Sequence, residues 1–174
     1  MGSITGERVE RERKYRLTDA EVTAIRARAM DEGRWLRGGE EIDVFYDHNG
    51  LRLGEAGARL RVRHRPTRGE YELTLKGPRQ PGTDDKVRTE ITVPSRADPA
   101  AIVEALGFRP AGRVVKQRDV YVLSDVEVTL DRIEGLGWFC EIEAREDEID
   151  LAYVAERLGL RPGSLEQRSY ADLV

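Results

Sequence analysis

The chain contains 174 residues with a mass of 19.7 kDa, which suits one domain and is too short for two domains and a linker, so a single domain over residues 1–174 is predicted. Charged residues make up 36% of the sequence and hydrophobic residues 39%, a polar composition that still predicts a folded protein. The formal net charge of −4 argues against a general electrostatic attraction to nucleic acid or to an anionic membrane, so any anion site must be local.

The first predicted elements are a strand and a helix. Polar and apolar residues alternate from 9 to 16, which is typical of a strand. Thr18 and Glu21 then have the spacing of a capping box, in which the two side chains satisfy backbone amides at the start of a helix. A helix is therefore predicted from Thr18 to a stop at Gly33.

Strands dominate the rest of the chain. Alternating segments predict seven further strands, near residues 42–47, 58–65, 70–76, 86–93, 116–123, 126–132 and 138–144. A short helix over 98–107 has an acidic cap at Asp98 and Pro99 at its first helical position. Another over 150–159 follows the same logic. The prediction is thus eight strands with only three helices to cover them.

The predicted strands carry charged side chains of both signs on one face. Because successive side chains of a strand point to opposite sides, residues two positions apart share a side. On these shared faces the sequence places seven bases and six acids. The bases are Lys14, Arg61, Arg63, Lys76, Arg88, Lys116 and Arg118, and the acids are Glu10, Glu12, Glu90, Asp131, Glu141 and Glu143.

Two arrangements account for this pattern. The charged faces could be the solvated side of an open antiparallel sheet that packs on helices. Three short helices are few for eight strands, however, and a closed barrel with the charged faces in its lumen fits better. The apolar outside would then be covered by helices or by a second subunit, so a homodimer is an open alternative.

A charged lumen needs a compensating ligand or water, because buried like charges repel one another. Carboxylates are hard oxygen ligands that suit Mg²⁺ or Mn²⁺, and Arg and Lys donors suit phosphate oxygens. A divalent cation together with a polyphosphate satisfies both kinds of side chain. The predicted ligand is therefore a metal-bound polyphosphate.

Glu10, Glu12 and Lys14 have the spacing E-x-E-x-K, and further segments follow in a set order. Through these residues the chain resembles the CYTH superfamily, the triphosphate tunnel metalloenzymes that include class IV adenylyl cyclases, thiamine triphosphatases and inorganic triphosphatases. The E-x-E-x-K motif alone is a weak signal in a charge-rich protein, whereas the ordered set is strong. The matching segments are residues 43–47, 60–63, 75–78, 88–90, 116–118, 131, 135–143 and 168–170.

The resemblance implies an α+β fold, an antiparallel eight-stranded β-barrel open at both ends with a few short flanking helices. It implies Mg²⁺ or Mn²⁺ as cofactor and a triphosphate in the tunnel. The implied catalytic residues are Lys14, Glu12 and Asp131. The implied metal ligands are Glu10, Glu12, Asp131, Glu141 and Glu143, and the implied substrate-binding residues are Lys14, Arg61, Arg63, Lys76, Arg88, Lys116 and Arg118.

The branch of the superfamily decides the reaction. Segments 116–118, 135–137 and 168–170 are most similar to the class IV cyclases, which convert ATP to 3′,5′-cyclic AMP and pyrophosphate. Segment 9–15 has the character often met among the hydrolases, so a triphosphatase acting on thiamine triphosphate, tripolyphosphate or a nucleoside triphosphate is the alternative. A third alternative is a non-enzymatic module that binds polyphosphate, which would need the bases but not the converging acids.

The remaining signals concern location and residues without a predicted role. A single cysteine, Cys140, excludes an intramolecular disulfide, and neither a leader-like apolar run nor a run of about 18 apolar residues is present, so a cytoplasmic protein without a membrane or nucleic-acid partner is predicted. Cys140 is predicted to point away from the lumen as a small apolar side chain. His48, His64, Arg11 and Arg13 are predicted to have packing or surface roles.

Overall fold

The computed structural model describes residues 8–50 and 52–174, and within them eight strands form a closed antiparallel barrel. The strands pair in the order β1-β5-β4-β3-β2-β6-β7-β8, and β8 pairs back to β1. The predicted fold class is confirmed. The strands are β1 (Arg8–Leu17), β2 (Arg34–Asp47), β3 (Arg59–Arg65), β4 (Glu70–Lys76), β5 (Lys86–Ser95), β6 (Arg109–Leu123), β7 (Val126–Ile133) and β8 (Gly137–Ala144).

Three α-helices lie close to the predicted positions: α1 (Asp19–Glu32), α2 (Ala100–Ala105) and α3 (Leu151–Leu158). The capping box is confirmed, because the backbone N–H of Thr18 donates to Glu21 at 2.7 Å and the N–H of Glu21 donates to the Thr18 hydroxyl at 3.4 Å. The α2 helix is shorter than predicted, with Pro99 as its N-cap. Short 3-10 turns, at Pro66–Arg68, Pro162–Ser164 and Tyr170–Asp172, complete the helical structure of the described residues.

Two strands begin much earlier than predicted. β2 begins at Arg34 and β6 at Arg109, whereas the predicted starts were 42 and 116. The extra residues of β2 (34–41) pair with the predicted part of β6, and the extra residues of β6 (109–115) pair with the predicted part of β2, in one ladder from Arg34 opposite Val122 to Asp47 opposite Arg109. Their sequences lack clear apolar alternation, so this long-range pairing, and not local preference, makes them strands.

The apolar side of the barrel faces outward and is covered by helices. α1 and α3 pack on β6, β7 and β8 through a buried cluster that includes Ile25, Leu158, Leu130 and Ile142. α2 covers β2 and β3 through a smaller cluster centred on Val103. The charged faces are left inside the barrel, as the alternation predicted.

The outer face of β4 and β5 carries exposed apolar side chains, Leu75, Ile91 and Val93. A second subunit on the apolar outside stays a prediction. Within residues 8–50 and 52–174, none of the helices has the length and apolar character that crossing a bilayer requires.

Candidate active site

A cavity of about 450 Å³ occupies the barrel lumen. Its lining contains twelve bases and eight acids, so the wall carries an excess of positive charge, and Phe45, Thr92, Ser169 and Tyr170 also line it. The bases are Arg8, Lys14, Arg37, Arg59, Arg61, Arg63, Arg65, Lys76, Arg88, Lys116, Arg118 and Arg145, and the acids are Glu10, Glu12, Asp43, Glu72, Glu90, Glu127, Glu141 and Glu143.

The structure brings together all but one of the residues predicted for the site. Asp131 is the exception, because it is fully buried behind Arg118 and does not line the cavity. Arg118 Nε donates to Asp131 Oδ1 at 2.6 Å, its Nη2 binds the other oxygen, and the Tyr170 hydroxyl donates to Oδ2 at 2.9 Å. Asp131 therefore holds Arg118 in place, and in this conformation both of its oxygens are already engaged.

The predicted metal-binding acids meet where β1 pairs with β8. In this register Glu12 lies opposite Glu143, and Lys14 lies opposite Glu141. Each strand contributes acids two positions apart, so their side chains point into the same part of the lumen. The acids of this group are Glu10, Glu12, Glu141 and Glu143.

Most of these acids are paired with lumen bases. Glu10 binds Lys76 and accepts from Arg88 Nε at 3.0 Å. Arg118 Nη2 lies 2.6 Å from Glu141, whereas the base nearest to Glu12 is Lys86, at 3.5 Å.

The opposite wall, formed by β2, β3 and β4, holds a second set of ion pairs. Arg63 donates to Asp43 through Nε at 2.6 Å and through Nη2 at 2.8 Å, and its Nη1 lies 3.1 Å from Glu41. Arg61 lies 3.2 Å from Glu72. Each predicted phosphate-binding arginine of this wall is therefore held by carboxylates, which fixes its position before any ligand is bound.

Sequence reasoning missed several of these residues as site residues: Glu41, Asp43, Glu72, Lys86 and Tyr170. Glu41 lies just before the predicted start of the strand at 42, whereas Asp43 lies inside the predicted strand 42–47 and was overlooked there. Glu72 shares a face with Lys76, and Lys86 shares one with Arg88, so strand alternation carried the signal for both. For Tyr170, which follows the last strand, alternation gives no indication at all.

Lys14 differs from the other bases of the lining. Among the described residues it is the lining base with no carboxylate oxygen within 4.0 Å, and its Nζ lies over the Tyr170 ring, 4.0 Å from the centroid. Burial, followed by the charge of the nearby Lys86, lowers the pKa of Lys14 to about 7. The Lys14 amine is therefore suited to exchange a proton with a group in the cavity.

The acids divide into two kinds. Burial disfavours the charged form of Glu141, but the charges of Arg118 and Lys116 outweigh burial and hold the pKa of Glu141 well below its usual range. Burial and the charge of Glu10 instead raise the pKa of Glu143 to about 7. The positive charge around Glu143 is therefore too small to offset the effects of burial and of Glu10 on its pKa.

The donor set fits a divalent cation in its chemistry, although it is not assembled around one. Within the described residues no three His, Cys, Asp or Glu side chains already surround a common point, because the lumen acids face Arg and Lys partners. Glu12, Glu141 and Glu143 nevertheless supply the hard carboxylate oxygens that Mg²⁺ and Mn²⁺ prefer. The raised pKa of Glu143 is the physical sign that a cation would be stabilised there.

This charge deficit leads to a prediction about Glu143. Its pKa in the folded protein is raised, so it stabilises the fold below its unfolded-state value and this contribution is lost as the pH rises through about 7. In metal-free protein at pH 8, Glu143→Gln should therefore raise the free energy of unfolding by about 2 kcal/mol, with a smaller gain at pH 5.5. Urea unfolding in excess chelator measures both values.

The exposed Glu156 on α3 supplies the control, since Glu156→Gln should change neither value by more than about 0.5 kcal/mol. If Glu143→Gln lowered stability equally at both pH values, the result would contradict a raised pKa for Glu143. Arg8, which lies 2.6 Å from Glu143 but is half exposed, makes only a small opposing contribution.

The histidines and the cysteine lie in packed positions outside the lumen. His64 stacks on Tyr71 with 4.4 Å between ring centroids, and His48 packs edge-on against Phe108. Cys140 is buried in the outer core, and burial raises the pKa of its thiol. These observations agree with the packing roles that the sequence predicted.

Arg11 and Arg13 on the outer side of β1 both bind Asp85, in the loop before β5. Arg11 also donates to the backbone carbonyl of Asp147 at 2.9 Å. Both therefore have structural partners outside the lumen.

The chain is similar to several known proteins. A sequence model of the CYTH domain family matches residues 8–170. The adenylate cyclase CyaB of Aeromonas hydrophila is 31% identical over 175 aligned residues, which cover 95% of this chain and 88% of that protein. The solved structure of the PH1819 protein from Pyrococcus horikoshii OT3 is 30% identical with a TM-score of 0.78, covering 94% of this chain and 97% of that one. HpAC1 from Hippeastrum, whose structure is described with a dominant triphosphatase activity, has a TM-score of 0.65 at 15% identity over 95% and 92% of the two chains, and so shares the fold.

Proposed function

The chain belongs to the CYTH domain family, and we propose that it is a divalent-metal-dependent class IV adenylyl cyclase that converts ATP to 3′,5′-cyclic AMP and pyrophosphate. The observation that carries the proposal is the lumen itself, a cavity with a strongly basic wall and a group of carboxylates on one side. The 31% identity with a cyclase from Aeromonas hydrophila supports the choice of reaction.

The bases of the lumen bind the triphosphate. Arg61, Arg63, Lys76, Arg88 and Arg118 are each held by a carboxylate in the free protein, so little side-chain freedom is lost when a phosphate is bound. Their charges also stabilise the negative charge that develops on the leaving pyrophosphate. Lys116, buried between Glu41, Asp43 and Asp131, adds a further cation.

The acids of β1 and β8 hold the metal. We assign Glu10, Glu12, Glu141 and Glu143 to this role. Asp131 could take part only if Arg118 moved away from one of the two Asp131 carboxylate oxygens that it binds. When bound, Mg²⁺ or Mn²⁺ supplies positive charge for the phosphate oxygens and for the attacking hydroxyl.

We assign Lys14 to the activation of the attacking hydroxyl group. It lines the cavity without a carboxylate partner among the described residues, opposite Glu141 in the β1–β8 register. A cyclase needs a group that receives the proton of the ribose 3′-hydroxyl as this oxygen attacks the α-phosphorus. Lys14 is the base of the lining that no ion pair occupies.

A triphosphatase is the second candidate. The same bases and acids would support in-line attack by water on the terminal phosphorus, so the reaction depends on which phosphorus lies beside the acids. HpAC1, which has this fold, carries a dominant triphosphatase activity. A module that only stores or senses polyphosphate would not need acids that converge on a metal. It is therefore the third candidate function.

Product analysis tests the proposal. The purified protein is incubated with ATP and with tripolyphosphate, each with Mg²⁺ or Mn²⁺, and nucleotides are separated while phosphate and pyrophosphate are assayed. We expect cyclic AMP and pyrophosphate in equal amounts, and none in excess chelator. Orthophosphate release without any cyclic nucleotide would establish the triphosphatase instead, and binding without turnover of any triphosphate would leave only the binding module.

A further inference from the structure

The C-terminal segment, residues 165–173, crosses one end of the barrel. It begins beside β1, where the backbone N–H of Glu166 donates to the carbonyl oxygen of Lys14 at 2.7 Å. It ends beside the start of β3, where Arg59 donates to Asp172 at 2.8 Å. Between these two anchors the side chain of Tyr170 enters the lumen and lines the cavity.

The part of the lumen wall behind Tyr170 that β6, β7 and β8 form is apolar. Val114, Ile133 and Phe139 each lie two positions from a charged lumen residue on the same strand, so they face inward, and they form one buried cluster with Tyr170. The Tyr170 and Phe139 rings meet edge to face, 5.3 Å apart. A phosphate that entered between these apolar side chains would lose its hydration, and they offer no hydrogen-bond donor in exchange. Entry of a phosphate there is therefore unfavourable. Tyr170 is therefore the floor of the charged cavity.

The same ring contacts two ammonium groups. Lys14 Nζ lies 4.0 Å and Lys116 Nζ 5.1 Å from its centroid, so both cations are held over the ring face. The Tyr170 hydroxyl donates to Asp131, which in turn binds Arg118. One side chain thus orients the bases around the deepest part of the cavity.

We propose that Tyr170 is a positioning residue that sets how deeply a polyphosphate chain enters the cavity, with the innermost phosphate stopped at the level of Lys14 and Lys116. The substrate then enters phosphate end first from the opposite end of the barrel, where Arg8, Arg37 and Arg145 lie. This inference rests on the proposed function, because it requires that the lumen binds polyphosphate. It makes Tyr170 the residue on which the register between phosphorus and metal depends.

The test is a chain-length series on metal-free protein. Calorimetry in excess chelator measures the binding of pyrophosphate, tripolyphosphate and tetrapolyphosphate. In the wild type, affinity should rise with polyphosphate length until the polyphosphate extends from Tyr170 to the open end of the cavity, and should then level off. In Tyr170→Ala the length at which affinity levels off should be one phosphate longer, because the space of the ring becomes available. Tripolyphosphate should also bind about tenfold more weakly there, since both lysines lose the ring.

Other variants separate the effect of Tyr170 on the depth of polyphosphate binding from its effect on the stability of the fold. Tyr170→Phe keeps the ring, so its levelling length should match the wild type and its tripolyphosphate affinity should lie within about threefold. Tyr170→Leu keeps an apolar floor without a ring face, so it should keep the wild-type levelling length and lose affinity. The exposed Tyr153 on α3 supplies the matched control, Tyr153→Ala. Thermal unfolding of each variant shows which are folded.

The outcomes distinguish this inference from the proposed function. Tripolyphosphate binding by the wild type, with the same levelling length in Tyr170→Ala, overturns only the role of Tyr170. If Tyr170→Ala does not fold, unchanged tripolyphosphate affinity in Tyr170→Leu overturns it as well. A wild-type protein that binds none of the three chains overturns both this inference and the proposed function.

Discussion

Replacing Glu12 by glutamine should lower the turnover of the triphosphate substrate by at least about 10³-fold while the barrel remains folded. Glu12 is buried in the lumen, and its nearest cations are Lys86 at 3.5 Å and Arg88 at 3.8 Å. Burial and the charge of Glu141 disfavour its ionised form, but the surrounding lysines and Arg88 outweigh them and lower the pKa of Glu12. Glutamine keeps the shape of this side chain and removes the charge that would hold a divalent cation.

The measurement separates metal binding from phosphate binding. Initial rates with ATP at saturating Mg²⁺ or Mn²⁺ should show the loss, whereas binding of tripolyphosphate to metal-free Glu12→Gln should be equal to wild type or tighter, because one negative charge has left the cavity. Glu156→Gln, at an exposed acid of α3, should leave both unchanged. Full activity of Glu12→Gln would remove Glu12 from the metal-binding set, and full activity of wild type in excess chelator would disprove metal dependence.

The barrel and most of its lumen could be predicted from strand alternation. A closed barrel separates inside from outside completely, so a charged residue such as Arg63 or Glu141 faces the same way as the residue two positions along its strand. The alternation also placed Cys140 correctly on the outside, where it packs among apolar side chains. Period-two patterning is informative here because the lumen-facing side of almost every strand carries charged residues.

Alternation could not predict features that depend on pairing across the barrel. The first half of β2 contains Gly38 and Gly39 and several charges, and it is a strand because β6 pairs with it. Glu41 was therefore missed together with that half, whereas Asp43 lay inside the predicted strand 42–47. Asp131 was assigned to the right face, but its burial behind Arg118 arises from side-chain contacts that no spacing encodes.

Arg118 connects these cross-barrel contacts, and Arg118→Ala should destabilise the protein by about 3–5 kcal/mol. Its guanidinium binds both oxygens of Asp131 and also Glu141, and it lies 3.7 Å from Glu41. Asp131 is fully buried, and without Arg118 it would keep only the Tyr170 hydroxyl as a hydrogen-bond donor, with Lys116 at 3.7 Å. The variant thus leaves carboxylates uncompensated in the interior, which is why the expected cost exceeds that of a surface ion pair.

The pH dependence of this cost identifies its cause. With the guanidinium removed, the pKa of Glu141 is higher in the variant than in wild type, because burial is then opposed by the surrounding lysines alone. A carboxyl whose folded-state pKa is raised stabilises the protein at low pH and loses that contribution as the pH rises. Urea unfolding should therefore show a larger difference between Arg118→Ala and wild type at pH 8 than at pH 5.5.

Two further variants complete the experiment on Arg118. Arg118→Lys keeps the charge but cannot bind two carboxylate oxygens at once, so its stability should lie between those of wild type and Arg118→Ala. Arg113 is exposed and five positions away on β6, on the opposite face, so Arg113→Ala should leave stability and triphosphate binding unchanged. At a temperature where Arg118→Ala remains folded, tripolyphosphate should bind it about 10- to 100-fold more weakly, because a charge-assisted contact is lost. Equal losses in Arg113→Ala would contradict the assignment of strand faces, and wild-type affinity in folded Arg118→Ala would remove Arg118 from the phosphate-binding set.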